Sequence, residues 1–252
     1  FCKFTAFIFL MNLIIDVGNT FVKFAVFQKD RLINRIDAKH ENVLEIFHEI
    51  LDENNSIKKG IVSSVGKLDD STFQIMSSKL EMLVLNHEIR LPFKNLYATP
   101  ETLGVDRIAL VCASVQQYPH SNVLIIDAGT CITYDFVTHE NHYLGGAISP
   151  GIRLRYTALN NLTANLPLLD TEMPTQLIGD STTSSIHSGV VFGILKEIDG
   201  VIDEYRVEYQ DLTVILTGGD ANFLPKQLKN SIFANSNFLL EGLNFILEFN
   251  SH

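Results

Sequence analysis

The sequence predicts an α/β fold assembled from two successive copies of one pattern, three strands followed by alternating helix and strand. Three observations carry this. Runs rich in Ile, Val and Phe, separated by turn residues, occur at 12–17, 21–28 and 31–38, and the same kind of triplet returns at 122–128, 131–137 and 143–148. Behind each triplet the spacing alternates between helical and strand periods. The first strand of each triplet also closes on the same motif, Asp-x-Gly followed by a hydroxyl-bearing residue: Asp16-Val17-Gly18-Asn19-Thr20 in the first half, Asp127-Ala128-Gly129-Thr130 in the second.

In chain order, apolar residues at 43, 44, 46, 47, 50 and 51 predict a helix, followed by a strand at 57–65, a helix at 72–80 and a strand at 81–85. Residues 87–98 read as a loop. Thr99-Pro100 predicts a helix start, an N-cap with proline at the first position, and the helix carries Ile108, Val111, Cys112 and Val115 before stopping ahead of Pro119. In the second half, Pro150-Gly151 opens a helical stretch, 184–205 reads as a long helix and 212–216 as a strand, and 224–228 and 239–249 read as helical. A boundary falls near 119–122. The expected organisation is an extension at 1–10, a first domain at 11–120 and a second at 121–252, its last helix free to pack back on the first.

The composition is that of a globular chain, 46% hydrophobic and 19% charged over 252 residues. The formal charge of −10 and the lack of a basic run argue against a nucleic-acid partner, which needs clustered Lys and Arg. An acidic chain binds anionic nucleotides through backbone amides, a metal ion and a few placed cations instead. Cys2, Cys112 and Cys131 are far apart, which supports neither a zinc site nor a disulfide framework and suits reduced thiols of a cytoplasmic protein. Residues 1–15 are apolar with one lysine but run into Asp16 without a small-residue cleavage site, and are too short to span a membrane. The expectation is that Met11 is the natural start and that no membrane is involved.

An Asp-x-Gly turn between strands lets a ligand approach the backbone, with Gly18 and Gly129 free to take positive φ. Successive amides in such a turn form an anion-binding concavity, and Thr20 and Thr130 add hydroxyl donors. Asp16 holds Mg²⁺ through water, and Lys23 on the next strand reaches the same phosphates. One such turn alone reads first as an ordinary hairpin; two at matching points of a repeat favour a polyphosphate grip across a cleft.

Thr217-Gly218-Gly219-Asp220-Ala221 lets an adenosine lie flat on backbone, or is a plain strand-to-helix turn. Leu103-Gly104-Val105-Asp106-Arg107 offers a carboxylate to accept an alcohol proton and an arginine for an anionic substrate. The same pair also reads as a carboxylate complementing the helix dipole beside a solvent arginine. Gly145-Gly146-Ala147-Ile148-Ser149-Pro150-Gly151 reads as a glycine-rich turn, in contact with phosphate or simply tight. Two segments are set aside. Gly60 to Leu68 imitates a P-loop but has five residues between its glycines and Leu68 where Ser or Thr is needed, and His139-Glu140-Asn141-His142 reads as a polar hairpin loop.

Taken together, DVGNTFVK (16–23), TPETLGVDR (99–107), DAGTCITYD (127–135), GGAISPG (145–151), IGDST (178–182) and TGGDA (217–221) resemble the type III pantothenate kinase family of the sugar kinase, Hsp70 and actin superfamily. The resemblance runs from Met11 to near the C-terminus. It implies two duplicated ribonuclease-H-like (actin-like ATPase) domains around a central nucleotide cleft, a homodimer, and phosphorylation of pantothenate by ATP at the start of coenzyme A synthesis. It further implies Asp106 as general base; Gly104 and Arg107, with Tyr97, as the pantothenate site; and Thr182 reaching that site from the partner subunit. Asp16, Gly18, Asn19, Thr20, Lys23, Gly129, Thr130, Gly218 and Gly219 are implied to bind ATP. Asp127 is implied to ligate a monovalent cation (K⁺ or NH₄⁺) beside Mg²⁺. Rival expectations are a kinase of another hydroxyl or carboxyl substrate and a non-catalytic regulator, the latter disfavoured by the acidic charge and the intact Asp16, Asp106 and Asp127.

Overall fold

The computed structural model describes residues 10–64 and 68–251. The anticipated extension at 1–10, apart from Leu10, and residues 65–67 of the P-loop-like segment lie outside the described residues. The chain forms two compact units, one holding the described residues up to Gln117 together with those from Phe238 onward, the other Tyr118–Asn237.

The first unit opens with the antiparallel strands β1 (Met11–Val17), β2 (Val22–Gln28) and β3 (Arg31–Ala38). α1 (Val43–Glu53) leads to β4 (Ile57–Ser64), which lies parallel to β1, and α2 (Asp70–Lys79) leads to β5 (Glu81–Val84), parallel to β4. The sheet order is β3-β2-β1-β4-β5. β1 is central and covered on both faces, so Leu13, Ile14, Ile15 and Val17 are all fully buried, and its apolar run is continuous rather than alternating. α2 begins two residues before the periodicity suggests because Asp69 caps it, its carboxylate accepting from the Thr72 amide at 2.8 Å.

After a short strand β6 (Lys94–Asn95), the expected helix from Thr99 is broken. Pro100–Thr102 make one 3₁₀ turn, Leu103 becomes extended (φ −67°, ψ 127°), and α3 (Val105–Gln117) starts afresh. Buried Leu103 draws the chain inward, and its carbonyl contacts His87 Nε2 at 2.8 Å, so the helix cannot propagate through it.

The second unit repeats the arrangement. β7 (Asn122–Ala128), β8 (Cys131–Val137) and β9 (His142–Pro150) are antiparallel, and β10 (Leu212–Thr217) and β11 (Phe233–Ala234) follow in parallel on the far side of β7. Read outward, β9-β8-β7-β10-β11 has the order and directions of the first sheet. Between β9 and β10 lie α4 (Ile152–Asn161), α5 (Thr182–His187), a π turn at Ser188–Phe192 and α6 (Gly193–Glu208), so the expected long helix is one run with a wide turn inside it.

Two expectations fail locally. Gly145 and Gly146 lie in strand β9, as the run at 143–148 predicts, and not in the turn that the glycine-rich reading of 145–151 placed there: a Cβ on Gly146 would stand 1.5 Å from the Tyr134 carbonyl, and Gly145 takes φ 104° at a bulge opposite Phe136. Residues 224–228 make only a 3₁₀ turn at Pro225–Gln227, because the buried Asp199 carboxylate engages the amides of Lys229 and Asn230 at 3.1 Å and pulls the chain away.

The last helix, α7 (Phe238–Phe249), belongs to the first unit and packs on α3. A Cβ on Gly242 would lie 2.0 Å from the Ala109 carbonyl, so glycine there sets how closely the helices approach. Buried Asn12 of β1 donates to Asn244 Oδ1 at 2.8 Å and to Glu248 Oε1 at 2.6 Å, fastening α7 to the sheet.

Candidate active site

In the first unit the chemistry gathers at the C-terminal ends of the parallel strands β1 and β4, where α/β sheets bind their ligands. Asp16 is the penultimate residue of β1 and is only 5% exposed. It stands opposite Lys23 of β2, whose Nζ is 3.1 Å from Asp16 Oδ2, and opposite Ser63 of β4. Burial pushes the Asp16 carboxyl above the ordinary carboxylate range; Lys23 pulls it down and the charge of Asp106 pushes it up. Asp106 is therefore close enough for Asp16 to feel its charge. The turn that follows is closed by the Gly18 amide donating to the Phe21 carbonyl at 3.1 Å and braced by His40 Nε2 at 3.0 Å from the Gly18 carbonyl. Asn19 and Thr20 are exposed at its tip.

The start of α3 assembles a second group. The Arg107 amide donates to Asp106 Oδ1 at 2.8 Å, which leaves Oδ2 to accept a proton. A Cβ on Gly104 would lie 2.3 Å from Asp106 Oδ1, so glycine leaves room for the carboxylate to fold over the helix start. Arg107 is not the solvent arginine that a merely structural reading requires. It is 5% exposed, with its guanidinium carbon 5.6 Å from the centre of the Tyr97 ring. The structure thus brings Tyr97, Gly104, Asp106 and Arg107 together.

The second unit presents a different floor. The Gly129 amide closes its turn onto the Cys131 carbonyl at 2.9 Å, and among the described residues the only neighbour a Cβ there would meet is that carbonyl oxygen at 3.9 Å. Neither Gly18 nor Gly129 takes a positive φ, contrary to expectation; in the second turn glycine provides open space above the backbone rather than an unusual dihedral. Gly218 does take φ 94°, and a Cβ on it would lie 2.3 Å from the Ala128 carbonyl and 2.4 Å from Asp127 Oδ1. Gly219 beside it has open space. A Cβ on Gly151 would meet the Gly129 carbonyl at 2.0 Å. Asp127, Gly129, Thr130, Gly218 and Gly219 therefore form one surface, with Gly151 packed against it.

The type III pantothenate kinase family profile matches residues 12–204. A type III pantothenate kinase of Christiangramia forsetii is 55% identical over 240 residues, covering 95% of this chain and 99% of the relative. The chain belongs to the type III pantothenate kinase family. Two solved structures share the fold at low identity. A Campylobacter jejuni protein described as a conserved Baf family transcriptional activator has a TM-score of 0.58 at 20% identity, covering 94% of this chain and 98% of its own. A ROK family glucokinase from Streptomyces griseus in complex with glucose and AMPPNP has a TM-score of 0.53 at 10% identity, covering 95% and 99%.

The residues at the end of β1 fit a divalent metal of the kind that accompanies ATP in a kinase. Among the described residues no three His, Cys, Asp or Glu side chains converge as a metal cage, and Mg²⁺ needs none where one or two carboxylates and the substrate's phosphates hold it. Asp16, with the buried Ser63 hydroxyl that has no hydrogen-bond partner among the described residues, offers oxygens to such an ion and its waters. Thr182 is the first residue of α5, exposed behind the Ser181 cap, with the exposed apolar Leu177 and Ile178 shortly before it. No helix among the described residues is long and apolar enough to cross a membrane. Ser63 and His40 escaped the sequence reading. Neither belongs to a motif, and only sheet register or the folded turn brings them to the site.

Proposed function

We propose that this chain transfers the γ-phosphoryl group of ATP to the hydroxyl of pantothenate, giving 4'-phosphopantothenate, the first step of coenzyme A synthesis. The observation that carries this reading is the start of α3. A carboxylate with one oxygen held by the Arg107 amide stands beside a buried guanidinium under an aromatic ring, a pairing suited to a substrate with both a hydroxyl and a carboxylate. In this reading Asp106 Oδ2 takes the hydroxyl proton as that oxygen attacks the γ-phosphorus and ADP leaves. Arg107, Gly104 and Tyr97 hold pantothenate.

Phosphoryl transfer asks the protein for in-line positioning and charge neutralisation. We assign positioning of ATP to Gly18, Asn19, Thr20 and Lys23 in the first unit and to Gly129, Thr130, Gly218 and Gly219 in the second, the last two supporting adenosine. Mg²⁺, held through water by Asp16, supplies charge neutralisation when bound, and Asp127 ligates a monovalent cation. The matching strand orders support the reading that the two units are ribonuclease-H-like copies of one ancestor. The exposed Ile148, Leu177 and Ile178, at 64%, 69% and 81%, support a homodimer in which Thr182 serves the partner's pantothenate site. The substrate and the free thiols support a cytoplasmic enzyme.

The test is a coupled assay of ADP release from Mg-ATP with pantothenate and a panel of other hydroxyl and carboxyl compounds. Release that depends on pantothenate is expected. Release without it, or preference for another acceptor, overturns the reading.

A further inference from the structure

Because the two sheets share strand order and direction, positions in one unit can be matched to positions in the other by register. In the first sheet Val17 stands opposite Val22, and Val22 opposite Ala38. In the second Ala128 stands opposite Ile132, and Ile132 opposite Ser149. Gly18 therefore matches Gly129, and His40, two residues past Ala38, matches Gly151, two residues past Ser149. Both matched residues cover the same carbonyl. In the second unit the cover is backbone: a Cβ on Gly151 would stand 2.0 Å from the Gly129 carbonyl oxygen, and the Gly151 amide donates to the Thr130 carbonyl at 3.0 Å. The first turn is one residue longer, with three residues between Gly18 and Val22 against two between Gly129 and Ile132. There the cover is a side chain, with His40 Nε2 3.0 Å from the Gly18 carbonyl oxygen. A brace at the same point of both copies is a property of the repeat and not an accident of one loop.

A carbonyl oxygen only accepts, so Nε2 carries the proton of this hydrogen bond. The bond fixes a peptide plane. In a trans peptide the C=O and the N–H point in opposite directions, so holding the Gly18 carbonyl sets the direction of the Asn19 amide. The Gly18 amide is already engaged by the Phe21 carbonyl at 3.1 Å, which leaves the Asn19 amide, at the exposed tip, as the first in the turn able to meet an anion. We infer that His40 is a positioning residue for ATP: its Nε2–H holds the Gly18–Asn19 peptide so that the Asn19 amide faces the phosphates before they arrive. An amide set in advance loses less freedom when nucleotide binds. This rests on the phosphate-binding role proposed above for the first turn. His40 acts through that turn alone, so it governs the affinity for nucleotide and not the affinity for pantothenate.

The experiment compares wild type, His40→Ala and His40→Gln, whose side-chain amide can donate to the same carbonyl. Mg-ADP affinity is measured by isothermal titration calorimetry, and the KM values for ATP and for pantothenate by coupled assay. His40 is exposed, so both variants are expected to melt with wild type. His40→Ala is expected to weaken Mg-ADP binding about 5-fold and to raise KM for ATP in step, with kcat and KM for pantothenate unchanged. His40→Gln is expected to recover most of the lost affinity. A His40→Ala protein that binds Mg-ADP as wild type does, a KM for pantothenate that rises together with that for ATP, or a His40→Gln protein no better than His40→Ala overturns the inference. Mg-ADP binding that weakens in His40→Ala and recovers in His40→Gln, in a protein that releases no ADP with pantothenate, leaves this inference standing and sinks the kinase reading. Phosphorylation of pantothenate with equal Mg-ADP affinity in all three proteins does the reverse.

Discussion

The start of α3 in the first unit and the glycine surface of the second are built by different physical means. The first is built from charged side chains: Asp16 and Arg107 are buried, Lys23 pairs with Asp16, and the charge of Asp106 reaches the Asp16 carboxyl. The second is built from missing side chains, with Gly218 and Gly151 tight against the Asp127–Thr130 backbone and Gly129 and Gly219 leaving open space. One strand order thus supports both kinds of site. Chemistry can be placed where charges are packed, and binding where backbone is laid bare.

Five substitutions test that comparison, the largest effect first. Asp106→Asn removes the proposed proton acceptor and is expected to lower kcat by about 10²–10⁴-fold with little change in fold. Steady-state kinetics beside a circular-dichroism melt check it, and a fully active variant would break the assignment. Gly242→Leu drives a side chain into the Ala109 carbonyl at the α3–α7 contact and is expected to destabilise the first unit by about 3 kcal/mol, read by urea denaturation.

Gly218→Ala places a Cβ against Ala128 and Asp127 at a left-handed φ and is expected to cost about 1–3 kcal/mol. Gly219→Ala has room and is expected to leave stability unchanged while raising KM for ATP. Equal melts for the two variants would erase the distinction between tight and open glycines. The smallest effect is a gain. Burial raises the Asp16 carboxyl in the folded state, so the native state binds more protons than the unfolded one between the ordinary and the raised value, and stability is lost as pH rises through that window. Asp16→Asn is therefore expected to melt a few degrees above wild type at pH 8, the gap closing as pH falls toward the ordinary carboxylate range, while its activity drops. A lower melting temperature at pH 8 would show that the Lys23 ion pair outweighs burial.

Much of this was legible in the sequence because it is written in local pattern. β3, at Arg31–Ala38, lies where turn residues and period place it, and the Asp16 and Asp127 turns sit at corresponding strand ends because both their motifs and their flanking strands repeat. What escaped depends on contacts between distant residues. The break at Leu103 is set by burial and by His87, the bulge at Gly145 by its pairing with β8, and the end of the 225–227 turn by Asp199 on α6. Ser63 carries no motif of the family, and its place at the site follows only from register across a sheet. The burial of Arg107 was undecidable from spacing, since a helix start is compatible with either face.

The return of α7 to the first unit has a bearing on synthesis. During translation Tyr118–Asn237 leaves the ribosome as one uninterrupted stretch and can complete its unit at once. The earlier residues cannot: the face of α3 at Ala109 and Ala113 that receives Gly242, and the buried amide of Asn12, have no cover until α7 emerges. The half made first is thus finished after the second, and Asp106, the proposed base, sits on a helix that settles only when α7 arrives. A stalled or clipped nascent chain would hold a folded second unit beside a first unit with an open apolar groove, a form for chaperones and proteases to recognise.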